Sequence, residues 1–322
     1  MGVHEQTVYA IGECMIELQR KADGTGMDYR FGGDTLNTAV YMARLLDPTR
    51  ARVAYVTGLG VDGMSGEMLA SWEREGIDTT CVQRLAGRLP GLYMIETEPG
   101  GERRFHYWRK DAAARYWIEA PDGGKVLARL ARARMVYLSG ISLAILPGAD
   151  RERLIAALVR CRANGGSVVF DNNYRPRLWD SADLAREVYL RMLAHTDIAL
   201  LTIDDEHALH GQETPRQVVE RTRSYGVGEV VVKCGAGPAV VWADGRLHEV
   251  APQPVKDVVD TTAAGDSFGA GYMAARLSGK DPVAAARAGH LLAGAVIRQR
   301  GAIIPRESMP AELLPANRTL TG

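Results

Sequence analysis

The segment Val258 to Leu277, VVDTTAAGDSFGAGYMAARL, holds the strongest chemical signal in the chain. An apolar strand end runs into a turn of small residues and then into a helix. At such a helix start unpaired backbone N–H groups point outward and the helix dipole favours negative charge. Ala263, Ala264 and Gly265 are small enough to let a phosphate oxygen approach closely. Asp266 stands in that first turn, where a carboxylate repels an anion, so its presence points to work on a hydroxyl group or a cation. A plainer reading is that Asp266 or Ser267 caps the helix, and for an isolated Asp-Ser pair the two readings weigh equally.

Other residues are spaced for binding. FGGDTLNTAVYMARLL places Gly32 and Gly33 before a helix that carries Asn37, although two glycines ahead of a helix are also ordinary punctuation. A strand period of two puts Arg103, Phe105, Tyr107 and Arg109 on one face of their segment. DNNYRPRLW sets Asp171, Asn173 and Arg175 at alternate positions beyond a strand's C-terminal end, where open α/β sheets bind ligands. Arg109 and Arg175 are candidates to clamp an anion, and a planar guanidinium suits a carboxylate. Either could instead pair with a surface acid. Lys233 ends an apolar strand ahead of the small loop Gly235, Ala236 and Gly237, which a nucleotide could approach; an ordinary hairpin turn with an exposed lysine fits equally well.

These residues need a frame. Short β-branched runs alternate with helical ones, which predicts an α/β fold: a mostly parallel sheet covered by helices on both faces. Strands are predicted at Val8 to Gly12, Val53 to Thr57, Met135 to Ser139, Ser167 to Asp171, Ile198 to Thr202 and Val230 to Lys233. Helices are predicted at Thr35 to Leu46, Ser65 to Glu75, Arg151 to Asn164, Asp183 to Ala194 and Pro215 to Tyr225. One stretch breaks the alternation. Gly91 to Thr97 and Arg103 to Trp108 read as strands joined by a turn at Pro99, Gly100 and Gly101, giving either a flap over a site or an edge of the main sheet.

Composition narrows the class. The 39 basic residues match the 39 acidic ones, so no global field attracts nucleic acid or an anionic membrane, and any phosphate site is local. Cys14, Cys81, Cys161 and Cys234 lie far apart with no CxxC pair, as expected of reduced thiols in a cytoplasmic protein. The N-terminus lacks the pattern of a secretory signal, and no apolar run reaches the roughly 20 residues of a membrane span. GxxxxGK[ST] is absent, which disfavours a P-loop kinase.

DTTAAGDSFGAGY closely resembles the C-terminal signature of the ribokinase-like (PfkB) carbohydrate kinases, usually DTTGAGDSF, and the Gly32–Gly33 segment resembles their N-terminal one. The resemblance implies a three-layer α/β/α sandwich with a small β lid. It implies one kinase domain over residues 1–310, a lid mainly from about 14–32 and 85–112, and a tail over 311–322. It also implies that Asp266 takes the proton from the attacking hydroxyl while the N–H groups of Ala264, Gly265 and Asp266 hold charge on the transferring phosphoryl group. Ala263 departs from the usual glycine, demanding a compatible backbone angle without removing a donor.

By the same resemblance ATP lies among the Lys233 loop (Gly235, Ala236, Gly237), the turn with Ala263 and Gly265, and the helix with His290. Magnesium falls to Glu206 with Asp171 in support, although Ile203 stands where relatives often have asparagine. Asp260 and Thr262 match positions that bind a monovalent cation such as potassium in some relatives. GECMIEL, RLPGLYMIET, ERRFHYWR, FDNNYRPRLW and RGAIIPRESMP further resemble the branch of the family that acts on the sugar acid 2-keto-3-deoxygluconate. There Gly33, Asn37, Tyr93, Tyr107, Arg109, Arg175 and Asp266 would contact substrate, the arginines facing its carboxylate. Glu13 stands where relatives carry aspartate beside a sugar hydroxyl. The galacto epimer, a neutral sugar such as fructose, and a sensor without turnover are the alternatives, and a homo-oligomer formed through the lid is expected.

Overall fold

Along the first strand Val8 and Ala10 face one core while Tyr9 and Ile11 face another, all of them at most 2% exposed. A strand apolar on both faces is buried between two helical layers. The computed structural model describes residues 5–21, 24–97 and 103–315. Its main sheet has eight strands: β1 (Glu5–Ile11), β4 (Arg52–Val56), β9 (Ala133–Ser139), β10 (Ser167–Asp171), β11 (Ile198–Thr202), β12 (Glu229–Lys233), β13 (Ala239–Ala243) and β14 (Arg246–Val250). The order is β14-β13-β12-β11-β10-β9-β1-β4. All neighbours from β4 to β12 are parallel; β13 and β14 add an antiparallel edge.

One core packs α1 (Asp34–Leu45), α2 (Gly63–Arg74), α9 (Ala264–Leu277) and α10 (Pro282–Val296) on the Val8 face. The other packs α3 (Gly123–Leu130), α4 (Gly140–Ala144), α5 (Gly148–Ala163), α6 (Ala182–Leu193), α7 (Ile203–His210) and α8 (Pro215–Ser224) on the Tyr9 face. This is the expected α/β/α sandwich. Every strand and helix predicted above has a counterpart, with bounds differing by a few residues. Met309 is 5% exposed and Leu313 and Leu314 pack on the first core, so residues through 315 are docked. The last seven residues of the expected tail, 316–322, lie outside the described residues.

A second sheet holds β2 (Met15–Arg20), β3 (Met27–Gly32), β7 (Gly91–Thr97) and β8 (Arg103–Trp108), in the order β3-β2-β7-β8. The β7–β8 hairpin thus belongs to a separate sheet and not to an edge of the main one. Its turn at Pro99, Gly100 and Gly101 lies outside the described residues. The two-residue strands β5 (Gly58–Leu59) and β6 (Gln83–Arg84) pair with each other as a third, parallel sheet. Cross-strand pairing aligns Glu17, Tyr93 and Tyr107 on one face of the lid. Four cysteines are free, and among the described residues no helix is long and apolar enough to cross a membrane.

Candidate functional site

The C-terminal ends of the parallel strands deliver a row of polar side chains. Glu13 follows β1, Ser139 closes β9, Asp171 closes β10, Thr202 closes β11 and Lys233 closes β12. Asp171 lies opposite Ser139 in register, and Thr202 opposite Lys233. Lys233 Nζ donates to Asp171 Oδ2 at 2.7 Å, with both residues under a tenth exposed. The hairpin reading of this loop is correct, since β12 and β13 are antiparallel, but the lysine is not exposed. Gly235 takes a left-handed φ of 58°, which its missing Cβ permits.

Asp266 sits in the first turn of α9. Ala263 caps this helix through backbone geometry alone, with φ 60° and ψ 17°, and no side chain caps it. Ser267 turns its hydroxyl back to the Ala263 carbonyl at 2.7 Å. Neither member of the Asp-Ser pair is a cap, which removes the plainer reading of Asp266. The Ala264 N–H is turned onto the Thr261 carbonyl at 3.2 Å, so the anion-facing part of the turn is carried by Gly265 and Asp266. Asn37 Nδ2 donates to Asp266 Oδ2 at 2.9 Å. Burial, and then the negative charge of Asp34, push the Asp266 carboxyl up to about 7, against the opposing effects of Asn37 and Lys233. A carboxyl near 7 is a far better proton acceptor than an unperturbed aspartate.

Asp34, at the start of α1, is a site residue that the sequence reading missed. Its Oδ2 accepts from Asn173 Nδ2 at 2.7 Å, and burial raises its pKa while the Ser139 hydroxyl acts in the opposite direction. An acidic residue in a helix's first turn is common enough to pass as dipole chemistry. The only usable signal was its place directly after two glycines.

The lid side of the site is aromatic and charged. The Tyr93 and Tyr107 rings lie 5.8 Å apart, and the Tyr93 hydroxyl donates to Glu17. Arg109 donates to Glu13 in a buried pair, its guanidinium carbon 6.0 Å from the Tyr107 ring centre. A Cβ on Gly33 would overlap the Glu13 carbonyl, so that glycine allows α1 to seat against the end of β1. Arg175 is about half exposed; it donates to the Tyr174 carbonyl at 2.8 Å and to Asp205 at 3.1 Å. Both candidate arginines thus already hold an acid, one buried and one at the surface.

A cavity of about 680 Å³ opens beside the first turn of α9. Lys233, Gly235, Ala236, Gly265, Phe268 and His290 line it. Gly237 and Ala263 flank it and are not among its lining residues. His290 Nε2 meets the Val250 carbonyl at 2.9 Å, and its ring stands edge-on to Phe268 at 5.0 Å. Small residues around a deep, largely apolar slot next to a helix N-terminus suit a base-and-phosphate ligand.

A pfkB family carbohydrate kinase profile matches residues 5–309, nearly the whole chain and both halves of this site. The chain belongs to the pfkB family of carbohydrate kinases. This pfkB kinase is 54% identical to the 2-dehydro-3-deoxygluconokinase of Dickeya dadantii over 309 residues, 95% of this chain and 99% of the relative. It is 53% identical to the protein of the same name from Escherichia coli K12 over 307 residues, 94% of this chain and 99% of that one. The crystal structure of a fructokinase with bound ATP from Xylella fastidiosa covers 95% of each chain with a TM-score of 0.80 at 23% identity, which supports the fold.

The residues expected to hold cations in this pfkB kinase are less open than its sequence suggests. Glu206 is 3% exposed, and both its oxygens are taken, one by Asn172 Nδ2 at 2.8 Å and one by Arg221 at 2.5 Å. Among the described residues no three His, Cys, Asp or Glu side chains converge as a ready metal cluster. Burial, followed among the repulsive charges by that of Asp171, raises both Asp34 and Asp205. A hydrated divalent cation needs only one or two direct carboxylates, and Asp171, which accepts from Lys233, is of that kind. Asp260 accepts from the Thr262 N–H and hydroxyl at 3.0 and 2.7 Å and from the Gly301 N–H at 3.1 Å, tying two loops together.

Proposed function

We propose that this pfkB kinase transfers the terminal phosphoryl group of ATP to the 6-hydroxyl of 2-keto-3-deoxy-D-gluconate, giving 2-keto-3-deoxy-6-phosphogluconate and ADP in sugar-acid catabolism. One observation carries the reading: the two relatives aligned over 99% of their own length are both 2-dehydro-3-deoxygluconokinases, another name for a kinase of this sugar acid. The site supports it. Arg109 and Arg175 provide guanidinium groups for the carboxylate, Gly33, Asn37, Tyr93 and Tyr107 surround the chain of the sugar, and Asp266 meets its far hydroxyl.

In the reaction the bond from O6 to the γ-phosphorus forms as the bond from phosphorus to the bridging oxygen of ADP breaks, and the O6 proton passes to Asp266. The transition state for such a transfer is loose, so alignment of O6 by Asp266 precedes proton transfer. Gly265 and Asp266 N–H groups face the transferring oxygens, and Lys233, leaving Asp171, offsets phosphate charge. Magnesium would supply charge neutralisation on the phosphates; Asp171 is the residue that would hold it, and Glu206, whose two oxygens are bonded to Asn172 and Arg221, would add negative charge from behind. Asp260 and Thr262 are the proposed residues for a potassium-type cation.

The lid, about 14–32 and 85–112, excludes water from a single kinase domain of residues 1–310 followed by the tail. Trp108, 58% exposed on the face opposite Tyr107, suits contact with a second copy in a homo-oligomer. A cytoplasmic setting without nucleic-acid or membrane partners fits the charge balance. The test is magnesium-dependent ADP release with 2-keto-3-deoxygluconate, its galacto epimer, gluconate, fructose and ribose at equal concentration. Preference for the first supports the proposal. Preference for a neutral sugar keeps the Asp266 chemistry and removes the arginine clamp, and silence with all five overturns the kinase reading.

A further inference from the structure

Asn172 stands where the chain leaves the main sheet. Up to Asp171, β10 runs in register with its neighbours, with Asp171 opposite Ser139 on β9 and Leu200 on β11. The Asn172 N–H adds one more rung, to the Leu200 carbonyl at 3.2 Å, and the backbone then departs through Asn173 at a left-handed φ of 26°. That departure would leave the N–H and carbonyl of Thr202 without partners from β10. The Asn172 side chain takes both: its Oδ1 accepts the Thr202 N–H at 3.0 Å, and its Nδ2 donates to the Thr202 carbonyl at 3.1 Å. A side-chain amide carries the acceptor and donor of a peptide with one donor to spare, so it serves as the missing rung. The spare donor reaches Glu206 Oε1 at 2.8 Å, and Oδ1 also accepts the Asn173 N–H at 2.8 Å.

The Asn172 carbonyl is fixed from the other side, where it accepts the Tyr189 hydroxyl at 2.5 Å. A Cβ on Gly140 would overlap both of these groups, so the glycine that opens α4 lets them meet. With all its polar atoms bonded and 1% of its surface exposed, Asn172 has no group left for a ligand. What it controls is the chain that follows. Tyr174 is 4% exposed, its ring edge-on to Tyr189 at 6.2 Å. Arg175 is extended at φ −126° and ψ 98°, as a residue ahead of proline must be. It reaches Asp205 at 3.1 Å, the neighbour in sequence of the Glu206 that Asn172 holds. The turn is therefore tied to the start of α7 at both its ends, and the buried tie is that of Asn172.

We infer that Asn172 is a positioning residue, whose side chain completes the β10–β11 ladder and so sets where the Arg175 guanidinium stands for the carboxylate of the sugar acid. Asp171 lies inside the ladder and is held by the strand itself, so the effect falls on Arg175 and not on the phosphate side. The inference rests on the proposed sugar-acid activity and its arginine clamp.

The experiment is a double-mutant cycle on KM for 2-keto-3-deoxygluconate, with the wild type, Asn172→Ala, Arg175→Ala and the double variant, beside hydrogen exchange read by mass spectrometry. Asn172→Ala alone should raise KM about tenfold, with kcat and the binding of a fluorescent ATP analogue within about threefold of wild type. In the Arg175→Ala background the same change should raise KM less than about twofold, because a residue that acts through Arg175 then has nothing left to position. Exchange should quicken in peptides covering 172–178 and 202–208 and stay at the wild-type rate in β12 and β13. Equal KM factors in the two backgrounds, an unchanged KM, or faster exchange across the whole sheet would each overturn the inference. If Asn172→Ala fails to fold, Asn172→Ser, whose hydroxyl can still bond Thr202, goes through the same cycle, with a smaller rise in KM that again disappears without Arg175. Arg175→Ala with a wild-type KM removes the clamp and the inference with it. Wild-type silence on every sugar acid overturns the activity and the role drawn from it, an outcome separate from an active enzyme whose KM factors are equal in both backgrounds.

Discussion

Asn37 and Asp266 are 229 residues apart in sequence and joined by a hydrogen bond of 2.9 Å. The contact unites the two glycine-bearing segments of the chain into one site and holds the catalytic candidate by its own side chain. Asp266→Asn keeps the size of the group and removes its capacity to take a proton. Turnover is expected to fall by about 10²–10⁴-fold with KM for the sugar acid within a few-fold. Steady-state kinetics at saturating ATP read this directly, and a variant that loses affinity but keeps turnover contradicts the role.

In the proposed reaction Asp266 works in its ionised form, and its carboxyl is pushed up to about 7. kcat/KM for the sugar acid should therefore climb with pH and level off above about 7. Asp34→Asn removes a like charge and should move that bend to lower pH. A bend that stays in place in the variant shows that Asp34 is not what raises it.

The same shift has a consequence for stability. The folded carboxyl holds its proton up to about 7, whereas an unfolded aspartate loses it near 3.9. Between those values the folded state binds more protons, so this group's contribution to stability decreases as pH rises. Asp266→Asn should raise Tm by more at pH 8 than at pH 4. Scanning calorimetry at the two pH values checks the sign.

Arg109 and Arg175 should separate by stability as well as binding. Arg109→Ala leaves Glu13 as a buried acid without its partner, in a pair whose side chains are 11% and 1% exposed, and should cost about 3–5 kcal/mol. Arg175→Ala breaks a pair with Asp205 at the surface, expected to cost about 0–1 kcal/mol, and should act mainly on KM for the sugar acid. Urea denaturation beside kinetics distinguishes the two patterns.

Ala263 holds φ 60°, in the left-handed region that penalises an L-residue by about 1–2 kcal/mol. Ala263→Gly relieves this strain but adds freedom to the unfolded chain, for an expected net gain of about 0.5–1 kcal/mol. A loss of stability on urea denaturation would mean that the methyl packs usefully.

The main sheet was legible because its strands are apolar on both faces and its helices carry their own start and stop signals. The lid was legible only in part. β7 and β8 are a local hairpin, but β2 joins β7 in parallel with Glu17 opposite Tyr93, a pairing of distant segments that no local pattern announces. The same holds in the site. Asp171 and Lys233 were read as separate candidates, and their 2.7 Å contact arises only because β10 and β12 end at the same edge of the sheet. Glu206 read as an open carboxylate, and Arg221, on the next helix, is what occupies it. Asp266 stood open to two readings in the sequence, and the backbone cap at Ala263 is what removes the plainer one.

The lid strand β3 ends at Gly32, a single residue before α1, and Asn37 follows within the first turns of that helix. Each residue advances an α-helix by about 100° of rotation. One residue inserted or deleted between Asp34 and Asn37 would therefore swing the asparagine off Asp266, even if every remaining residue type were kept. In this stretch the tally of residues is under constraint beside the identity of Asn37 itself.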